Sequence, residues 1–321
     1  MTKIDLITGT LGVGKTTFLR RYAQYLLRQG QRIAILENDF GAVNVDVMML
    51  RDLKSENCFI QTVAGCTDPT CHRRRLRTQL IALGMQHFDR VLMEPSGIFD
   101  MDEFFDTLFE PPLDRWFEIG SVLTVVDAQA QETGTEQAEY LFASQAAYAG
   151  RLIVSKLHAD DDPETVSAQI LRHLRGAGAA IRCDRQFSAQ DLLIRDWDAL
   201  TDADFAALTT AGYRRASFVK QFHMENIGSN VHYFMRIRTA PEQIEPMIRE
   251  IFANCGTIRR IKGALPVLDG WCKINATAQA IETEPVPSAQ AVLIVIGDDV
   301  DRAAVDKMIT KYNTDPDYVS I

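Results

Sequence analysis

The segment Gly9-Thr10-Leu11-Gly12-Val13-Gly14-Lys15-Thr16-Thr17 follows directly on an apolar run at 4–8 and constrains the fold more than any other part of the chain. A strand feeding a glycine loop that opens into a helix is the sequence form of a phosphate cradle. Gly9, Gly12 and Gly14 let backbone N–H groups, with that of Val13, close around phosphate oxygens where side chains would block the approach. Lys15 adds a point charge toward the β- and γ-phosphates, and the Thr16 hydroxyl suits Mg²⁺. The helix expected from about 15 to 28, with Thr17 in its first turn, aims its positive end at the same anion. The pattern predicts nucleoside triphosphate binding. A ligand-free glycine turn is the bland alternative, and it leaves the flanking strand and helix unexplained.

The 321 residues suggest two domains, each with enough apolar content for a core. A net charge of -9 argues against a general binder of nucleic acid or of membrane surfaces. The longest basic run, Arg73-Arg74-Arg75-Leu76-Arg77, reads as a solvated helix face. No apolar stretch reaches the length of a membrane span, and the N-terminus runs into a strand without a signal peptide, so a cytoplasmic protein is expected. There the six cysteines should stay reduced, and clustered ones point to metal or redox chemistry.

Strands are expected at 3–8, 32–37, 58–63, 90–94, 121–126 and 152–155, with helices at 15–29, 72–84, 101–109, 136–148 and 163–175. Continuous apolar strands separated by helices imply an α/β fold: a P-loop NTPase with a largely parallel sheet covered by helices on both faces. This nucleotide-binding domain is assigned to 1–195, a polar linker to 196–212, and a smaller C-terminal α+β domain to 213–321. Within the latter, strands are expected at 218–223, 231–238, 257–265, 270–276 and 291–296, helices at 241–253 and 301–311, and a loop at 282–289.

Ligands of such sheets collect at the carboxyl ends of the strands. Glu94-Pro95-Ser96-Gly97 supplies there an acid for the Mg²⁺ shell and a glycine N–H for the γ-phosphate. Glu37-Asn38-Asp39-Phe40-Gly41 ends the second strand, and Asp39 or Asp46 either touches the Mg²⁺ shell or is an ordinary loop acid. Ser155-Lys156-Leu157-His158 occupies the place of a base-reading loop and resembles the Asn/Thr/Ser-Lys-x-Asp signature of GTPases. His158 stands where the aspartate would accept two bonds from guanine. A neutral imidazole offers one acceptor, so guanine selectivity of ordinary strength is not expected unless Asp160 or Asp161 substitutes.

Together the P-loop, Glu94-Pro95-Ser96-Gly97 and the Ser-Lys loop resemble the CobW-type GTPases, metallochaperone-like relatives of the urease and hydrogenase nickel-insertion GTPases. The family's G-F-L-G-x-G-K-T-T has Thr10 here at its phenylalanine, and its E-N-x-F-G is matched by Glu37–Gly41. Arg260-Ile261-Lys262-Gly263, Trp271 and Ile296-Gly297 follow in the family's order. The resemblance implies GTP hydrolysis with Mg²⁺, ATP remaining an alternative, coupled to metal delivery. It implies a client metalloenzyme or corrinoid protein and allows a homodimer across the nucleotide face.

The family's hallmark Gly-Cys-x-Cys-Cys reads here Gly65-Cys66-Thr67-Asp68-Pro69-Thr70-Cys71-His72. Three readings stand. Cys66, Cys71 and His72, completed by Asp68 or by Glu37 (which matches a metal-associated glutamate of the family), suit Zn²⁺ or another transition metal. Alternatively the two cysteines form a reversible disulfide, or the site has decayed and Cys66 is a small buried residue. If no cargo is bound, the chain would be a nucleotide-dependent docking switch. A small-molecule kinase is a third class that P-loops also serve. No base for the attacking water is evident, so slow turnover is expected, with one of Arg73, Arg74 or Arg75 a candidate to assist in trans. Cys58, Cys183, Cys255 and Cys272 read as packing residues, and His223 with His232 as strand histidines.

Overall fold

Val, Ile and Leu dominate Thr2–Thr8, Ile33–Asn38 and Arg90–Pro95, the early strands that lie inside the sheet and are buried on both faces. Strands β1 (Thr2–Thr8), β2 (Ile33–Asn38), β3 (Cys58–Val63), β4 (Arg90–Pro95), β5 (Phe117–Asp127), β6 (Arg151–Ser155) and β7 (Leu192–Leu193) form one sheet in the order β3-β2-β4-β1-β5-β6-β7. Every pairing is parallel. This is a computed structural model, and it describes residues 1–10, 12–38, 46–63, 69–96, 101–129, 136–222, 230–267, 270–278, 280–286, 289 and 291–320.

Alternate residues along the strands feed two apolar layers. Ile7, Ile33, Ile35, Leu92, Leu123, Val125 and Ile153 pack under Phe18, Leu19, Tyr22 and Leu26 of α1 (Lys15–Arg28). On the other face Ile4, Leu6, Leu36, Val91 and Met93 meet α2 (Pro69–Gly84), α3 (Met101–Phe109) and α4 (Leu113–Trp116). Val126, Leu152 and Val154 continue that face beneath α5 (Glu136–Tyr148) and α6 (Pro163–Ala180). The expected α/β class, with helices on both faces of a parallel sheet, is therefore the observed one.

The segment 196–212, expected to be a linker, is packed instead. Thr201 and Asp204 form a reciprocal capping box that starts α7 (Asp202–Leu208), and Phe205 and Leu208 bury against α1. Residues 218–222 form no strand. Phe218 and Phe222 pack their rings on Tyr140 of α5, and His223 lies outside the described residues.

Backbone contacts divide the chain into Met1–Phe40 with Met49–Ile227, and Gly41–Met48 with Gly228–Ile321. The second unit holds β8 (Asn230–Met235), α8 (Pro241–Asn254), β9 (Gly256–Val267), β10 (Gly270–Ala276), β11 (Ile281–Val286), β12 (Val292–Val300), α9 (Arg302–Tyr312) and β13 (Val319–Ser320). Its strands pair antiparallel in the order β11-β10-β9-β12-β8-β13. Phe234, Ile261, Ile274, Leu293 and Val295 on one face pack with Ile244, Ile248 and Ile251 of α8 and Val305 and Ile309 of α9. The piece expected as a loop at 282–289 supplies β11, an edge strand whose Glu282 and Glu284 meet Asn275 and Lys273 of β10.

Candidate functional site

The glycine loop leaves β1 and turns into α1 through three left-handed glycines, Gly9 (φ +138°), Gly12 (φ +80°) and Gly14 (φ +99°). At Gly9 a Cβ would lie 2.5 Å from the carbonyl oxygen of Val125, so the backbone can press against β5 only without a side chain. The Gly9 amide donates to the buried Oε1 of Gln145 on α5 at 3.0 Å. Val13 is turned into the core beneath the loop, Thr17 is half-buried, and Leu11 lies outside the described residues.

Lys15 is 7% exposed and reaches back across the loop, its Nζ donating to the Thr10 carbonyl at 3.4 Å. The Thr16 hydroxyl donates to Glu94 Oε1 at 3.0 Å. Glu94, one residue before the end of β4, is in register with Glu37 of β2, and both carboxylates are buried. Ile35 and Leu92, two positions earlier on their strands, pack under α1, so the two acids stand on the α1 face. A threonine oxygen and a carboxylate buried beside a glycine cradle fit a hard divalent cation, which takes oxygen ligands. The cradle fits a polyphosphate.

In the loop expected to read the base, Ser155 is buried at the end of β6 and its hydroxyl donates to the Val126 carbonyl. Lys156 adopts a left-handed backbone (φ +55°), and its Nζ pairs with Asp127 Oδ2 at 2.6 Å. His158 is exposed. Its backbone N–H donates to Asp161 Oδ2 at 2.8 Å, and that oxygen also accepts from Gln129 Nε2. Oδ2 of Asp161 is thus engaged within its own loop, and Asp160, the other candidate acceptor, is exposed.

Asp39, Cys66 and Gly97 lie outside the described residues, and of Asp46, Cys71 and His72 only the backbone is described. Among the described residues no group of three His, Cys, Asp or Glu side chains is placed to hold a metal. Cys58 and Cys255 are buried, and burial holds the Cys58 thiol up at about 11, consistent with packing roles. Arg73 is bonded to Glu110 at 2.8 Å, whereas Arg74 and Arg75 are exposed. Sequence reasoning missed Gln145, Asp127 and Trp197. Asp127 carried a faint signal, an acid closing an apolar strand. Gln145 and Trp197 carried none, because their partners lie 136 and 43 positions away.

The family description "CobW/HypB/UreG, nucleotide-binding domain" matches residues 3–182, a region that includes the glycine loop, Thr16, Glu94 and the Ser155–His158 loop but not Trp197. The chain belongs to the CobW/HypB/UreG family. Among curated relatives it is 30% identical over 178 residues to "Zinc chaperone YjiA" of Escherichia coli, covering 53% of this chain and 54% of the relative. It is 27% identical over 141 residues to "Zinc chaperone CobW" of Pseudomonas aeruginosa, covering 41% and 37%. The chain spans about half the length, or less, of the curated relatives it matches. The crystal structure of Zn(II)-bound YjiA GTPase from E. coli aligns over 98% of this chain and 99% of its own, with a TM-score of 0.37 and 17% identity. Among the described residues of this family member no helix is long and apolar enough to cross a membrane.

Proposed function

We propose that this chain is a cytoplasmic GTPase of metal handling, in which a bound triphosphate resets the segment carrying Cys66, Cys71 and His72. The observation that carries the reading is the buried Thr16–Glu94 bond beside the left-handed glycine cradle, inside the family-matched region. Lys15, 7% exposed, lies where it can lean from the Thr10 carbonyl onto phosphate and neutralise developing charge. Thr16 and Glu94 would hold the cation, and bound Mg²⁺ would draw charge from the β- and γ-phosphate oxygens. Gly97 and Asp39 lie on the two segments that follow β4 and β2, the place of phosphate-sensing loops. Loss of the γ-phosphate contacts relaxes those segments and alters the grip of Cys66, Cys71, His72 and Glu37 on a transition metal, with Zn²⁺ the ion named in the relatives. Delivery to a client metalloprotein is the role this serves, and the base is read by the Ser155–Lys156–His158 loop.

The replacement of two hallmark cysteines by Asp68 and Pro69 favours one second reading, a nucleotide-dependent docking switch without metal cargo. Two titrations decide. Lys15→Ala should abolish GTP binding by calorimetry while the circular dichroism spectrum stays native; unchanged binding contradicts the nucleotide assignment. Reduced protein titrated with Co²⁺ should develop thiolate-to-metal absorption that depends on Cys66 and Cys71. Intact GTP binding with no such absorption selects the docking reading.

A further inference from the structure

Trp197 follows β7, the strand beside β6, and its indole lies against the last glycine of the phosphate loop. A Cβ on Gly14 would meet the indole Cη2 at 3.1 Å and Cζ3 at 3.4 Å. The indole also packs on Phe18 of α1, with ring centroids 5.5 Å apart. Its Nε1–H donates to the carbonyl of Val154 at 2.8 Å, one residue before Ser155 and two before Lys156. Its own carbonyl accepts from Arg21 Nη1 at 2.8 Å, and Arg21 Nη2 pairs with Asp198 at 2.6 Å. One side chain therefore touches the phosphate end of the site at Gly14 and is bonded to the strand that presents the base end.

We infer that Trp197 is a positioning residue that fixes the spacing between the phosphate cradle and the base loop, and so sets nucleotide affinity rather than turnover. A nucleoside triphosphate must satisfy both loops at once, so its affinity depends on how often the free protein holds them at the right separation. If a looser protein is competent only part of the time, the apparent dissociation constant rises by the inverse of that fraction. Once nucleotide is bound the spacing is restored, and the chemical step proceeds as before. Trp197→Phe keeps an aromatic ring beside Phe18 but deletes the bond to Val154 and withdraws the outer ring edge from Gly14. Trp197→Ala removes the ring as well.

The inference rests on the nucleotide reading proposed above, and the experiment separates the two. GDP and GTP binding with Mg²⁺ are measured by calorimetry, and phosphate release by steady-state kinetics, on the native chain and both variants. We expect Trp197→Phe to weaken both nucleotides by about threefold to tenfold, the effect of one lost hydrogen bond, with kcat within about twofold of native. Trp197→Ala should weaken them further. The chain has three tryptophans, so fluorescence assigns the effect: the change on adding GDP should survive Trp116→Phe and Trp271→Phe and vanish in Trp197→Phe. Native protein that binds no nucleotide sinks the function proposal itself. Native protein that binds, with Trp197→Phe matching it in affinity and KM, overturns only the role of Trp197. Should Trp197→Ala fail to fold, Trp197→Phe decides alone, and a fall in kcat at unchanged KM also counts against the inference.

Discussion

At the scale of single residues, the site combines groups that the chain announces with groups it hides. Lys15, Thr16 and Glu94 stand out in the chain as the residue types phosphate chemistry uses at those spacings, and the fold brings Thr16 to Glu94 across 78 positions. Gln145 on Gly9 and Trp197 on Gly14 were not legible, since a glutamine or tryptophan in an ordinary segment has no spacing that betrays a distant partner. His158 is the departure with a measurable consequence. It is exposed, and one oxygen of the neighbouring Asp161 is held by the His158 N–H and by Gln129. His158→Asp should restore a charged two-point acceptor and raise the preference for GTP over ATP by about 1–3 kcal/mol. Competition binding of the two nucleotides to native and variant protein checks this; equal ratios in the two proteins would mean that the base is read elsewhere.

Elements show where pattern reading succeeds and where it fails. β1, β2, β4 and β6 were found because a strand buried on both faces is a continuous apolar run, which few other structures require. β11 was taken for a loop because its residues Glu282, Glu284 and Pro285 belong to an exposed edge, which needs no apolar alternation. α7 was taken for a linker because its capping acids Asp202 and Asp204 dominate its composition, while only Phe205 and Leu208 reach the core. The opposite error occurred at 218–222, where aromatic residues mark ring packing and not a strand. α5 illustrates a stop that sequence cannot show. Its C-terminal carbonyls, Ala146 and Ala147, together with Ala149 accept from Nη1 of Arg185, whose Nη2 pairs with Asp191 at 3.0 Å, and both side chains are largely buried. Arg185→Ala should cost about 2–4 kcal/mol, because it strands Asp191 and removes the cap together. Urea unfolding of the full chain measures the loss, and a value near zero would mean water replaces the guanidinium.

For the whole molecule, pH couples to folding through carboxylates of the first unit and through His232 of the second. Burial pulls the Asp191 carboxyl upward, but the Ser188 N–H and Arg185 outweigh it and hold it below its ordinary value. The Thr201 hydroxyl lowers Asp204, and the Thr165 hydroxyl lowers Asp162. Each is more acidic folded than unfolded, so each stabilises the fold above about pH 3.9, the unfolded value, and loses that contribution as pH falls through the folded one. The melting temperature should begin to slope below about pH 6.5, where burial and then Arg302 disfavour the charged form of His232, and fall more steeply below about pH 4, and Asp191→Asn should shallow that steeper limb. An acid limb unchanged in that variant would assign the loss to other groups.

Farther down the same strands from the cradle, at the middle of β1, Asp5 is fully buried and receives Arg90 Nη1 at 2.5 Å, the Tyr22 hydroxyl at 2.8 Å and the Ser121 amide at 2.7 Å. Arg90 opens β4 and Glu94 stands one residue before its end, so one short strand carries the buried ion pair at its foot and the Thr16-bonded carboxylate near its head. Nature can therefore adjust how firmly this body holds together without disturbing what it does. Heat-sensitive alleles that leave chemistry untouched at permissive temperature should map to that foot, and lineages adapting to hotter or colder habitats have there a dial separate from the machinery.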